Sequence, residues 1–305
     1  MFLRLLAAAA LTLSLLPAVR AEPAPSNTSD GIDRRDWNAP QKPFRIDGNT
    51  WYVGPFGLSS ILLDTGRGLA LFDGDLPESA PVIEAHIRAL GFRVRAIKWI
   101  LNSHAHADHA GGIAALQRDS GAQVLASAAG ARELALGGAD REDPQYGDTP
   151  HYPPLRHVRV VRDGEVLRLG DVAITVHYTP GHTPGSTSWT WASCAGARCL
   201  RMAYADSLTP ISAPGFRFSD DPRRVAAFRR AIATVAALPC DILLTPHPDA
   251  SGFWQKVARR TSPSDAAALI DTDGCRTYAA AATRKLDSRL AQEQAEKAHR
   301  AGGKH

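Results

Sequence analysis

The sequence predicts an α/β fold of four layers, an αββα sandwich in which two sheets stack face to face with helices outside. Two observations lead there. Strand-like runs and amphipathic helices follow one another as strands, helix, strand, helix, and this order occurs twice along the chain. Three strand-like runs also end in stiff loops with histidine at the tip, so their side chains can converge beyond the strand ends. No internal sequence repeat accompanies the two halves.

The chain begins with Arg4 and an almost wholly apolar run from Leu5 to Leu16, followed by Pro17-Ala18-Val19-Arg20-Ala21. This is the pattern of a signal peptide spanning 1–21 and cut after Ala21, which implies a periplasmic protein. The run is too short to span a bilayer comfortably. No cysteine near the cut would carry a lipid, so no membrane anchor is expected. Residues 22–34 are polar and read as a flexible arm. A single domain should fill 35–299, with 300–305 as a flexible tail.

Within the domain, Phe44–Ile46, Thr50–Val53, Ser59–Leu63 and Leu69–Phe72 read as a meander of strands separated by Gly-rich turns. Ser79 to Leu90 has Val82, Ile83, Ile87 and Leu90 on one side and reads as a helix, with Ser79 as N-cap and Gly91 ending it. A strand at Ile97–Leu101 leads through the histidine-rich stretch to a helix ending at Leu116. A strand at Gln123–Ala126 and a helix at Ala128–Leu136 follow. Gly137 to Pro154 has no periodicity and reads as an active-site flap with Tyr146 as its contact residue. A second block holds strands at Val158–Val161, Val166–Leu169, Ala173–Tyr178, Thr187–Ala192 and Leu200–Ala205. Asp221 caps a helix through Ala237, with Pro222 at its first position. Ile242–Leu244 is a short strand, and helices start near Ser251 and Cys275.

The 305 residues are 44% hydrophobic and 22% charged, enough for a sizeable core. The formal charge of +4 includes Arg4 and Arg20 of the leader. That excess is too weak to imply a nucleic-acid partner, and no basic run with interleaved aromatics is present. The cysteines are Cys194, Cys199, Cys240 and Cys275. In an exported chain an even count reads as disulfides. Three pairings are open; the favoured one joins Cys194 to Cys199 across a short loop and Cys240 to Cys275 as a staple onto the last helix.

The chemistry concentrates in His104-Ala105-His106-Ala107-Asp108-His109. Imidazole and carboxylate suit zinc, and packed imidazoles would cost stability without an ion. One bend cannot aim all four side chains at one point, so two metal sites should share the loop. His182, between two Pro-Gly pairs, and His247, between prolines, supply the remaining donors from stiff loops. Split evenly, His104, His106 and His182 take one zinc, and Asp108, His109 and His247 the other. Three protein ligands with an open position is the catalytic zinc pattern. His86, His151, His157 and His177 lack such a context.

The stretches Asn102-Ser103-His104-Ala105-His106-Ala107-Asp108-His109, Thr179-Pro180-Gly181-His182-Thr183-Pro184-Gly185 and Thr245-Pro246-His247-Pro248 resemble the metallo-β-lactamase superfamily, whose fold is the αββα sandwich. Trp37-Asn38-Ala39-Pro40 and Tyr204-Ala205-Asp206-Ser207-Leu208-Thr209 resemble its third β-lactamase subclass, as does the Cys240 and Cys275 staple. The resemblance implies two zinc ions per chain and hydrolysis of β-lactam antibiotics, namely penicillins, cephalosporins and carbapenems, with resistance as the consequence. It implies a hydroxide attacking the lactam carbonyl. The first zinc would hold the oxyanion and the second the departing nitrogen, and catalytic Asp108 would orient the hydroxide. Ser207 and Thr209 would bind the substrate carboxylate, with Ser212 and Arg217 as weaker candidates. Asp206 is expected behind a ligand, or bridging the metals as in thioesterase-like relatives. The alternatives are an exported thioesterase or lactonase on the same scaffold, or a zinc-buffering protein. A monomer is expected.

Overall fold

The computed structural model describes residues 34–263 and 265–302. The expected signal peptide, the arm up to residue 33 and the last three residues of the tail lie outside them. A short helix, α1 (Arg34–Trp37), precedes four antiparallel neighbours, β1 (Phe44–Asp47), β2 (Thr50–Tyr52), β3 (Ile61–Asp64) and β4 (Leu69–Phe72). Next come α2 (Ala80–Ala89), β5 (Ile97–Leu101), α3 (Ala107–Ala110), α4 (Ile113–Ser120), β6 (Gln123–Ala126), α5 (Ala128–Ala135) and β7 (Val158–Val160). β4, β5, β6 and β7 pair in parallel, which the crossover helices between them make feasible. The second sheet holds β8 (Val166–Leu169), β9 (Val172–Tyr178), β10 (Thr187–Ala195), β11 (Arg198–Tyr204) and, after α6 (Pro222–Ala236), β12 (Ile242–Leu244). α7 (Phe253–Val257) and α8 (Gly274–Gly302) complete the chain.

Side chains alternate between two burial environments, which is why the strands read as unbroken apolar runs. Ile61, Leu63, Ala70 and Phe72 face the opposite sheet, where they meet Ile174, Trp189, Trp191, Met202 and Tyr204. Leu62, Leu69 and Leu71 point the other way, onto Ile83 and Ile87 of α2 and Ile113 and Leu116 of α4. Ala203 and Leu243 of the second sheet cover Phe228, Ile232 and Val235 of α6 and Ala279, Ala282 and Leu286 of α8. The layers are therefore helix, sheet, sheet, helix, as expected.

Several boundaries differ from the sequence reading. The strand at 158 belongs to the first sheet, not the second block, because it pairs with β6. Ser79 does not cap α2; its hydroxyl donates to Asn38 Oδ1 at 2.7 Å, while a 3₁₀ turn at Pro77–Ser79 starts the helix. The helix expected after Ser251 is short and flanked by 3₁₀ turns. α8 continues into the expected tail as far as Gly302. Asp221 does cap α6, accepting from the backbone N–H groups of Arg223 and Arg224. Both favoured disulfides are present, Cys194–Cys199 across the β10–β11 hairpin and Cys240–Cys275 joining the approach to β12 to α8.

The two bridges should differ in worth. Cys240–Cys275 closes a separation of 35 residues, so its removal by paired alanines should cost about 2–4 kcal/mol in urea unfolding. Cys194–Cys199 spans a hairpin already held by strand pairing, and the same double substitution there should cost clearly less.

Candidate metal centre

The histidine-rich stretch leaves β5 and is fastened before its first ligand. Asp73, just past β4, accepts from Ser103 N at 2.7 Å, Ser103 Oγ at 2.6 Å, Asn102 Nδ2 at 3.1 Å and Tyr204 OH at 2.7 Å. One fully buried carboxylate thus joins β4, the metal loop and the end of β11. It is held at φ 57°, a region L side chains rarely adopt. Burial pushes its carboxyl up to about 6, against the pull of His109 and the Ser103 and Tyr204 hydrogen bonds. The loop then turns into α3 rather than running free. Gly111 and Gly112 let it lie against the next segment: a Cβ on Gly112 would stand 2.2 Å from the Gly74 carbonyl oxygen.

His104, His106 and His182 form one cluster, with ring centroids 4.7–4.9 Å apart. Each ring is tied at its rear. His104 Nδ1 donates to Asp206 Oδ1 at 2.7 Å, and His182 Nδ1 to the Thr209 carbonyl oxygen at 2.9 Å. His106 Nε2 donates to Asp143 Oδ2 at 3.1 Å. The opposite nitrogens, Nε2 of His104 and His182 and Nδ1 of His106, are thereby left able to hold an ion.

Asp108, His109 and His247 form the second cluster. Asp108 Oδ2 lies 3.2 Å from His109 Nε2 and 3.3 Å from His247 Nε2, and the two nitrogens are 3.2 Å apart. Ligands about 2.0–2.1 Å from a tetrahedral zinc would stand about 3.3 Å from one another. This near-equilateral triangle of two nitrogens and one oxygen fits such an ion. The clusters are neighbours, since the His104 and His109 rings are 4.4 Å apart. Trp37 packs its ring 5.5 Å from that of His247. The structure therefore gathers all six expected ligands. His86 instead bonds the Val53 carbonyl and His177 the Thr190 hydroxyl, both outside the clusters.

Charge is finely divided here. Burial, then the neighbouring imidazoles, pushes His182 down to about 3 and His104 well below its ordinary value. Burial opposes a charge on His106 too, yet Asp143 and Glu133 carry it up to about 9. Asp108 is held well below the usual carboxylate range: burial is outweighed by His109 and His247.

The other expected residues are placed as follows. Ser207 is buried beside Asp206. The Thr209 hydroxyl lies 3.1 Å from His182 Nδ1, and Ser212 Oγ accepts from Arg289 Nη2 at 2.8 Å. Arg217 faces Glu296 at 3.7 Å. Tyr146 is exposed, its ring under the Arg141 guanidinium. The members of the 137–154 loop that reach the ligands are Asp143 and Gln145, whose Nε2 lies 3.5 Å from His106 Nδ1.

Asp73, Asp75, Glu133, Asp143 and Gln145 were missed from the sequence. Asp73-Gly74-Asp75 follows a wholly buried strand, which is an unusual place for two acids and could have been a signal. Asp75 is also buried at positive φ, with both oxygens unpartnered, and burial pushes it up to about 8.

Residues 53–194 match the family model described as the metallo-β-lactamase superfamily. Among solved structures, the chain is similar to MEM-A1, a subclass B3 metallo-β-lactamase from a soil metagenome library, at 50% identity and a TM-score of 0.83, covering 86% of this chain and all (100%) of that one. It is also similar to the Rm3 metallo-β-lactamase, at 53% identity and a TM-score of 0.82, covering 85% and 97%. Among curated proteins it is 32% identical to a hydroxyacylglutathione hydrolase of Anaeromyxobacter dehalogenans over 77% of this chain and 78% of that one.

Replacing Asp73 by alanine leaves several buried donors without an acceptor. Asp73→Ala should lower stability by about 3 kcal/mol or more and reduce the zinc retained after dialysis, measured by denaturant unfolding and elemental analysis. Unchanged stability would mean that the loop is fastened elsewhere.

Proposed function

The chain belongs to the metallo-β-lactamase superfamily, and from that footing we propose that it is a two-zinc β-lactamase of subclass B3 acting on penicillins, cephalosporins and carbapenems. His104, His106 and His182 hold the first zinc; Asp108, His109 and His247 hold the second. When bound, the ions supply an acidified water near neutral pH and positive charge for the developing oxyanion and leaving nitrogen. Asp108, ionised among imidazoles, accepts a hydrogen bond from the attacking water and fixes its direction. The substrate carboxylate is received by the Ser207 and Thr209 hydroxyls. Ser212 is the weaker candidate, since its oxygen accepts from Arg289 and its O–H points to the Phe216 carbonyl oxygen at 3.4 Å. Tyr146 flanks the entrance.

Asp206 carries most of the weight. In a thioesterase-like arrangement this carboxylate would bridge the metals. Here Oδ1 is engaged behind His104 at 2.7 Å, which favours a carboxylate that holds that ring. The full-length likeness to subclass B3 enzymes at 50% identity supports the same reading. The curated hydroxyacylglutathione hydrolases favour the second reading, a thioesterase using the same ligands. Hydrolysis of a lactone is the other outcome open to this scaffold.

Export to the periplasm through cleavage after Ala21 accords with two disulfides, which persist in oxidising compartments. Among the described residues no helix is long and apolar enough to cross a membrane. We take the working form to be a monomer that confers antibiotic resistance.

Nitrocefin, a carbapenem, a thioester and a lactone should be assayed side by side with the purified protein, with and without chelator. β-Lactam turnover that is lost to chelator and restored by zinc is the expected result. Thioester turnover without β-lactam turnover would transfer the proposal to the second reading. Asp108→Ala should keep its fold by circular dichroism. Its kcat/KM should fall by more than the about 10–100-fold that losing a partner behind a metal ligand costs. Full activity in that variant would overturn the ligand split.

A further inference from the structure

His106 is backed differently from the other ligands of its cluster. Its rear nitrogen meets Asp143, which comes from the irregular stretch between α5 and β7. That stretch is wound around the Asp143 side chain and backbone. Asp143 Oδ1 accepts from Gln145 N at 2.6 Å, its N–H donates to Asp140 O, and its carbonyl accepts from Tyr146 N. The next residue, Pro144, accepts from Ala213 N at 2.8 Å, which joins this stretch to the segment carrying Ser212. The main chain from 140 to 146 is therefore arranged so that one carboxylate can face one imidazole.

Behind Asp143 lies a second acid. Glu133 of α5 is 1% exposed, and its Oε1 has no hydrogen-bond partner. Oxygens of Glu133 and Asp143 and a nitrogen of His106 all lie within 4.8 Å of one another. α5 is a fixed platform: Ser127 caps it and also donates to the Gly185 carbonyl oxygen at 2.7 Å, beside the His182 loop. A buried carboxyl without a partner is costly, and such groups persist where they hold something in place. Both His106 and Asp143 offer polar atoms within 4.8 Å of it, and the Asp143 carboxylate is the one to which Glu133 can donate a hydrogen bond.

We propose that Asp143 and Glu133 are positioning residues for His106. Glu133 steadies Asp143, Asp143 fixes the ring so that Nδ1 faces the first metal, and metal binding there is coupled to the order of the 137–154 stretch. This rests on the reading of His104, His106 and His182 as zinc ligands. The physical basis of the coupling is reciprocal. A cation on Nδ1 makes the opposite N–H a stronger donor to Asp143, and a held ring is a better ligand. What strengthens one end must strengthen the other by the same factor.

The test uses zinc titrations against a chromophoric chelator, with hydrogen exchange of residues 137–154 followed with and without zinc. Asp108→Ala serves as the background that keeps only the first cluster complete. In that background, Asp143→Ala should weaken zinc binding by about 10–100-fold and abolish the zinc-dependent slowing of exchange. Asp143→Asn, which keeps an acceptor oxygen, should recover part of both. Glu133→Gln, which keeps a donor, should stay close to the parent. Glu133→Leu should weaken zinc binding several-fold while thermal stability holds or rises, a split that a purely structural role would not produce. Parental affinity in Asp143→Ala, or exchange indifferent to zinc in the parent, overturns the inference alone. A wild-type protein that binds no zinc overturns the metal reading, and this inference with it.

Discussion

Asp73 is the point at which the two sheets and the metal loop are made one object. Its two oxygens take four hydrogen bonds from Asn102, Ser103 and Tyr204. Two of the donors sit immediately before His104, and one closes β11, next to Ala205 and Asp206. A carboxylate saturated in this way cannot shift without breaking buried bonds, each expensive to leave unmade. The unfavourable φ at Asp73 is tolerated because the surroundings leave it no other conformation. From this one anchor the loop leaves β5 at a fixed height, α3 turns Asp108 and His109 toward His247, and Asp206 arrives behind His104. The candidate ligands are precise because their backbones are, and their backbones are held by a residue that need touch no metal.

The charge balance around the clusters has the same economy. Four buried imidazoles sit beside the half-buried His247 and Asp108, a set that could not all carry protons together. The surrounding shell is acidic: Asp73, Asp75, Glu133, Asp143 and Asp206 are all buried. Without a cation some of these acids are pushed up, to about 8 for Asp75 and Glu133, by the cost of burying charge. Two dications would reverse that cost. The shell is thus suited to positive charge at the centre, and a metal bound there would belong to the folding energetics as well as to the chemistry.

What could be read from the sequence follows from where the information lies. The candidate ligands were legible because metal binding demands particular residue types, and because β5, β9 and β12 each lead into a histidine loop, the latter two stiffened by proline. The four layers were legible because burial on both faces leaves unbroken apolar runs, as at Ile61–Leu63 and Leu69–Phe72. The sheet that β7 joins was not legible, because its parallel pairing with β6 lies across the long aperiodic stretch from Gly137 to Pro154 and leaves no local signal in β7 itself. Nor were the rear partners. Asp143 and Glu133 are ten residues apart in different kinds of structure, and nothing local tells a buried acid from a solvated one. Tyr146 stood out in the same loop as the aromatic beside turn residues, yet its ring lies under Arg141 and the inward side chains are its quieter neighbours Asp143 and Gln145.

Substrate choice depends on a different layer of the structure from metal binding. The six candidate ligands do not by themselves choose among an amide, a thioester and a lactone, because all three need a nucleophile and a charge opposite the developing oxyanion, and the amide needs help for its nitrogen besides. Discrimination has to come from what flanks them. Asp206 would differ in role between the readings without differing in residue type: its Oδ1 is bonded to His104 Nδ1, while its Oδ2 is buried without a hydrogen-bond partner. The segment after it, Ser207 to Phe216, offers hydroxyls and is clipped to α8 by Arg289, which bonds Ser212 and Phe216 while pairing with Glu293. Glu293 in turn accepts from Phe218 N and Ser219 N. A helix distant in sequence thus fixes the wall on which an anionic substrate group would land. On the proposed reading, specificity would be a property of how firmly that wall and the 137–154 loop are held, with the metal clusters supplying reactivity to whatever those two segments admit.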